Sequence, residues 1–175
     1  MSREIFNSCK KNKNIRLAFQ FNFKDEIIDL LVSIKKEDLS ISFDIHGSSS
    51  DEDIKMDVIL SKHLFSKKEY NKLNAELREF LRHEMEHIAQ YHDSAKAEIY
   101  GYSASTNELE YFIQPFEIDA FLHGLNYKRK YLKTDMIVEI DNLLLDYYKL
   151  EDEDTVESIK AAWMNRLEEI LPHTI

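Results

Sequence analysis

The apolar spacing of this chain changes once along its length, and that change limits what it can fold into. Up to Leu60 apolar residues recur mostly at every second position; from Ser66 onward they recur at every third or fourth. A period of two marks a strand with one buried face, and a period near 3.6 marks a helix with a buried stripe. Ile15, Leu17, Phe19, Phe21 and Phe23 alternate as one strand, and Ile54 to Leu60 alternates as another. Leu39 to His46 also alternates, and Gly47-Ser-Ser-Ser-Asp51 reads as the turn or loop that joins it to Ile54 to Leu60 in a hairpin. Asp25 to Lys36 interrupts this pattern. Ile27, Leu30, Leu31 and Ile34 share a helical stripe, with Asp25 near the cap, so a helix is expected there.

Beyond Ser66, which forms a capping box with Glu69, the residues Tyr70, Leu73, Leu77, Phe80, Leu81, Ile88 and Tyr91 lie on one stripe of a helix that ends near Tyr91. His92 to Asn107 is polar, contains Gly101 and reads as a loop. Pro115 suits the first turn of a helix over residues 115 to 132. Thr134 to Tyr148 and Thr155 to Leu171 read as two further helices, separated by the acidic stretch Glu151 to Asp154. Trp163 and Leu167 on the last of these are expected to pack into the core. Strands first and helices afterwards predict an α+β fold, a small sheet covered by helices. One domain is expected over residues 1–175, with 1–65 mainly strands plus one helix and 66–175 mainly helical. Only three Gly and two Pro in 175 residues favour long helices over a turn-rich β architecture.

Charge and cysteine usage narrow the function classes. With 23 basic and 33 acidic residues the chain carries a net −10, which repels phosphates and argues against a nucleic-acid partner. The basic clusters Lys10 to Lys13 and Lys128 to Lys133 read as solvated surface. No apolar run reaches a membrane span, and Met1 to Asn14 lacks the apolar core of a secretory signal, so no membrane association is expected. A lone Cys9 excludes an internal disulfide and points to a reducing, cytoplasmic setting. The sequence does not set an oligomeric state.

The stretch His83-Glu-Met-Glu-His87 carries the chemistry. Two imidazoles four residues apart lie on one face of a helix, where both reach a single Zn²⁺, and the intervening Glu84 can act on a metal-bound water. Projected at about 100° per residue, Glu84 falls in the middle of the apolar stripe, His83 and His87 at its border, and Glu86 on the opposite side, toward water. A carboxylate turned inward is costly unless a cation or hydrogen bonds compensate it. A catalytic zinc takes a third protein ligand, and Glu117 is the best candidate. It stands in the first turn after Pro115, on the face of Phe121, Gly124 and Leu125, and Gly124 permits another helix to approach closely. Asp119 projects to another side. His92 and His123 compete for the ligand role. His123, Tyr100, Tyr102 and Tyr111 are candidate transition-state stabilisers, able to polarise a substrate carbonyl.

These residues resemble the zincin metallopeptidases of the gluzincin type, which combine a helical His-Glu-x-x-His with a downstream Glu ligand. Pro115-Phe-Glu-Ile-Asp-Ala120 looks like the Glu-x-x-Ala third-ligand helix of small zincins. Together with His-Glu-Met-Glu-His-Ile-Ala-Gln it is similar to zincin-like proteins encoded by bacteriophages, over roughly residues 66 to 125. The resemblance implies a zinc-dependent peptidase with His83, His87 and Glu117 as metal ligands, Glu84 as catalytic base, Zn²⁺ as cofactor and a peptide or protein as substrate, placed in the host cytoplasm if phage-encoded. It also implies a small twisted sheet over the motif helix, with Ile54 to Leu60 as the edge strand beside the cleft, where an extended peptide adds by strand pairing. The chain departs from the family pattern at Glu86, where a small or neutral residue is usual, and at Phe121, where an acidic residue commonly stands. Two alternatives remain: a catalytically silent zincin-like module used for assembly or partner binding, and a metal-free acidic partner-binding protein.

Overall fold

The computed structural model describes residues 15–23, 26–38, 43–50, 53–61, 67–93 and 107–170. Four strands precede the helices: β1 (Ile15–Phe23), β2 (Glu26–Glu37), β3 (Phe43–Ser49) and β4 (Asp53–Ser61). The helices are α1 (Lys67–His92), α2 (Glu108–Phe112), α3 (Pro115–Leu132), α4 (Met136–Asp141) and α5 (Glu153–Ile170), with a π-helical segment over Asn142–Tyr147 continuing α4. The class is α+β, as the switch of period predicts.

The expected helix over Asp25 to Lys36 is a strand. Ile28, Leu30, Val32 and Ile34 are buried at a strict period of two, while Ile27 and Leu31, half of the apparent helical stripe, are exposed. The segment is dense in β-branched residues, which lose rotamer freedom in a helix and pack well on a pleated surface. Both patterns share Leu30 and Ile34, so the apolar positions alone do not separate them.

The strands pair in the order β1-β2-β4-β3. β1 and β2 run antiparallel with Ile15 opposite Ile34, β2 and β4 run parallel with Leu30 opposite Ile54, and β3 and β4 form an antiparallel hairpin with Ile45 opposite Val58. Two expectations change here. Gly47 to Ser49 belongs to β3 rather than to a loop, and Ile54 to Leu60 is an interior strand rather than an edge. Ile54, Met56, Val58 and Leu60 alternate with exposed or half-buried residues and sit in the middle of the core, so the hairpin returns inside and leaves β3 outermost. Gly47 has a packing reason: a Cβ there would lie 2.2 Å from the Lys55 carbonyl oxygen and 2.4 Å from Cζ of Phe80 on α1.

One face of the sheet packs against Leu73, Leu77 and Ile88 of α1, with Phe80, Leu81 and Met85 at the margin. Tyr91, expected on the same stripe, is exposed, because the sheet ends before the last turn of α1. A second core is built almost wholly from the helices. It joins Phe112, Phe121, Leu122, Leu125, Met136, Ile140, Leu144, Ile159, Trp163 and Leu167. Trp163 stacks on Phe121 at 5.1 Å and its indole N–H donates to the Phe112 carbonyl at 2.7 Å, so the core placement of Trp163 and Leu167 holds.

Helix α3 has the predicted bounds. Pro115 opens it, and Lys133 closes it in the left-handed conformation at φ 60°. The short α2, capped by Asn107 accepting from the Glu110 amide at 2.8 Å, was not expected from the sequence. The helix expected over Thr134 to Tyr148 is α-helical only to Asp141 before widening, with Tyr148 N–H bonding to the Leu143 carbonyl. Lys128 is another departure. It is buried rather than solvated, and its ammonium lies 2.8 Å from Glu76, 3.2 Å from Glu79 and 3.6 Å from Glu139. Arg166 forms a fork with buried Asp119 at 2.7 and 2.9 Å, tying α5 to α3. Among the described residues no helix is long and apolar enough to cross a membrane. Lys10 to Lys13, Leu39 to Ser42, Ser66, Tyr100, Gly101 and Tyr102 lie outside the described residues.

Candidate metal centre

Helices α1 and α3 cross where Gly124 removes a side chain. A Cβ at Gly124 would meet the Glu79 carbonyl oxygen at 2.8 Å and the His83 Cβ at 3.4 Å, so glycine sets how near the two backbones come. This close crossing brings the first turn of α3 against His83, His87 and Gln90 in the later turns of α1.

Three side chains converge there. His83 Nε2 and His87 Nε2 are 3.0 Å apart, and Glu117 Oε2 lies 3.6 Å from the first and 3.5 Å from the second. All three are buried or nearly so, and among the described residues they form the one group of donors compact enough to share a metal ion. With metal–nitrogen and metal–oxygen bonds of about 2.0–2.2 Å, tetrahedral ligand atoms stand roughly 3.3–3.5 Å apart, close to the spacing found here. Glu117 Oε2 is buried without a hydrogen-bond partner, and the two imidazole nitrogens face each other. A shared cation would satisfy all three at once. The donor set of two neutral imidazoles and one carboxylate suits zinc.

The surroundings orient these donors. His87 Nδ1 lies 3.0 Å from Gln90 Oε1, and Gln90 Nε2 donates to the Phe116 carbonyl at 3.0 Å. Donation from Nδ1 to Gln90 frees Nε2 as the lone-pair nitrogen, the arrangement usual for a metal-bound histidine. Phe121 packs edge-on to His83 at 4.4 Å between ring centres. Phe121 thus fills with an aromatic ring the place where the resemblance anticipates an acid. Gln90, three residues beyond His87, was legible from helical spacing but was not singled out.

Electrostatics divide the pair. Burial, then the neighbouring His87, pushes the His83 pKa well below its usual value, so this ring is neutral. At His87 burial acts downward, but the neighbouring Glu117 carboxylate outweighs it and the net shift is upward. His87 Nε2 lies 3.5 Å from Glu117 Oε2, so a proton and a divalent ion would compete for the same place.

Glu84 is buried, as its position in the stripe predicts. Burial raises its pKa, the neighbouring Ser49 and the charge of His87 lower it, and Glu117 raises it further; the net is upward. Ser49, at the end of β3, was invisible to the sequence because the strand-to-helix packing decides it. Glu86 contradicts its expected exposure. It is buried, with Arg82 at 2.8 Å and His123 at 3.9 Å, because α3 covers that side of α1 as well. His123 therefore stands against Glu86 and outside the three-donor group, and His92, exposed at the end of α1, is outside it too. Tyr111 is close: burial and then the Glu117 charge raise its pKa, which keeps its hydroxyl a proton donor. Asp119 faces Arg166, away from the donors, as expected.

Comparison with protein-family models, with curated proteins and with solved structures finds no match to this chain.

Proposed function

We propose that this chain is a zinc-dependent peptidase of the zincin, gluzincin type. The observation that carries the reading is the convergence of His83, His87 and Glu117 from two helices on a volume the size of one ion, with buried Glu84 on the same helix turn. His83, His87 and Glu117 would hold Zn²⁺. Bound zinc supplies Lewis acidity and lowers the pKa of coordinated water toward neutrality.

The chain's own residues carry the remaining work. Glu84, buried on the same turn as the donors, takes a proton from water and returns it to the leaving amine. Tyr111, held protonated beside Glu117, can donate a hydrogen bond to a developing oxyanion. His123, turned to Glu86, leaves that role to Tyr111 among the candidates that are described. The substrate proposed is an extended peptide or protein segment, and the strand that can receive it is β3, the edge nearest Glu84, in place of the interior β4.

The test compares wild type with Glu84→Gln on a peptide library at equal zinc occupancy. Cleavage by wild type and its loss by about a thousandfold or more in Glu84→Gln, with zinc retained, are expected. Cleavage unchanged by the substitution would remove Glu84 from the mechanism.

A second reading, a catalytically silent zincin-like module, draws on one observation: Phe121, packed on His83, stands where the resemblance anticipates an acid. Under it, Glu84→Gln leaves partner binding intact while His83→Ala lowers the melting temperature of the zinc-loaded protein.

A further inference from the structure

Strand β3 has an outer edge whose polar groups can be assigned. The Ser50 amide donates to the Asp53 carbonyl at 2.9 Å, so these two residues face each other as a hydrogen-bonded pair. Antiparallel pairing alternates bonded and non-bonded pairs. In this register Ser48, His46 and Asp44 therefore direct their N–H and C=O toward β4, whereas Ser49, Gly47 and Ile45 direct theirs outward. Since β3 is terminal in the sheet, no described strand receives the outward groups.

Two side chains reach this edge from elsewhere. At one end Glu84 neighbours Ser49. At the other the Tyr147 hydroxyl donates to the Ile45 carbonyl at 2.8 Å and lies 3.3 Å from Asp44 Oδ1. Tyr147 ends the π-helical segment, two residues before Lys149, which takes the left-handed conformation at φ 56°. A widened helix and a left-handed lysine are both departures from regular backbone, and they flank this hydroxyl. Between the two contacts Gly47 is exposed.

We propose that Tyr147 is a displaceable plug of the β3 edge: its hydroxyl occupies the Ile45 carbonyl that an extended peptide backbone needs for pairing, so docking must remove it. The inference rests on the reading that an extended polypeptide is the ligand of this edge. It adds that the resting edge is closed at its Ile45 end by the protein itself, and that a chain pairing along β3 toward Ser49 must open that end. An exposed edge strand is also a hazard for pairing between copies, and a plug that only a well-fitting chain displaces limits that hazard.

The experiment uses the full chain in EDTA, so that binding is read without cleavage, and fluorescein-labelled β-casein as the unfolded probe. Fluorescence anisotropy is compared for wild type and Tyr147→Phe. Loss of one competing neutral hydrogen bond is expected to tighten binding roughly fivefold. Tyr147→Phe also removes a tether between the π-helical segment and the sheet, so a second measurement uses wild type alone. Amide hydrogen exchange at Gly47 should be fast in the free protein and slowed when casein is bound. Equal or weaker binding by Tyr147→Phe, no binding by either protein, or binding that leaves Gly47 exchange unchanged would overturn the proposal. Zinc content separates this from the parent reading. Tighter casein binding by Tyr147→Phe in a protein that takes up no zinc keeps the plug and removes the peptidase. Zinc-dependent cleavage with the same KM in both proteins keeps the peptidase and removes the plug.

Discussion

Gly124→Ala tests whether the helix crossing positions the metal donors. The added Cβ would stand 2.8 Å from the Glu79 carbonyl oxygen, and that oxygen belongs to the backbone of α1 and cannot rotate away. Comfortable contact needs about 3.4 Å or more, so α3 must move from α1 by roughly 0.6 Å. The cost of such overpacking is about 1–3 kcal/mol, offset by about 1 kcal/mol of helix propensity gained when alanine replaces glycine. A net destabilisation of about 0–2 kcal/mol is expected, which melting curves measure. The site should suffer more than the fold. Metal ligands tolerate displacements of about 0.2 Å, and Glu117 rides on the helix that moves. Zinc affinity, measured by competition with a chelating dye, is expected to fall about tenfold to a hundredfold, the range seen when groups supporting metal ligands are disturbed. Gly124→Ala with wild-type zinc affinity would refute the reasoning that this crossing sets the donor spacing, whatever the melting temperature does.

Trp163→Ala should cost about 3–5 kcal/mol, since it empties a fully buried site and strands the Phe112 carbonyl; denaturant unfolding measures it, and a loss below about 1 kcal/mol would show that the helical core is looser than described. Glu79 gives a pH dependence: burial pushes its pKa up from 4.5 to about 8, with Lys128 only partly offsetting this. The folded state then holds a proton that the unfolded chain releases, so this group's contribution is fully present below pH 4.5 and is lost as pH rises toward about 8. Wild type should therefore lose stability relative to Glu79→Gln across that window, by at most about 1.4 kcal/mol per pH unit, in urea titrations at several pH values. Parallel pH profiles for the two proteins would place the extra proton elsewhere.

Local rules made the helical half of the chain readable. Pro115 and the spacing of Phe121, Leu122 and Leu125 set α3, and the stripe through Leu73, Leu77 and Ile88 set α1. The same rules placed Glu84 inward and paired His83 with His87, because positions on one helix follow from rotation about its axis. Glu117 was readable as a ligand candidate from its face on α3, but its contact with the histidines depends on Gly124 and the crossing. Failures cluster where tertiary contacts decide. β2 carries a sequence compatible with both periods, and only the flanking strands β1 and β4 select the extended form. Glu86 and Lys128 look solvated on their own helices; each is buried against the opposite helix, Glu86 with Arg82 of its own helix and His123 of α3 beside it, Lys128 with Glu76 and Glu79 of α1. The burial of β4 inside the sheet, and hence the identity of the edge strand, follows from strand order, which alternation does not encode.

The central claim is that three donors from two helices hold one divalent ion. Metal content by mass spectrometry after zinc loading and desalting tests it most directly, on wild type, His83→Ala and Glu117→Ala. One zinc per wild-type chain is expected, with most of it lost in each variant while the far-ultraviolet circular dichroism is unchanged. A wild-type chain that retains no zinc, or a Glu117→Ala chain that retains it as tightly as wild type, would contradict the account.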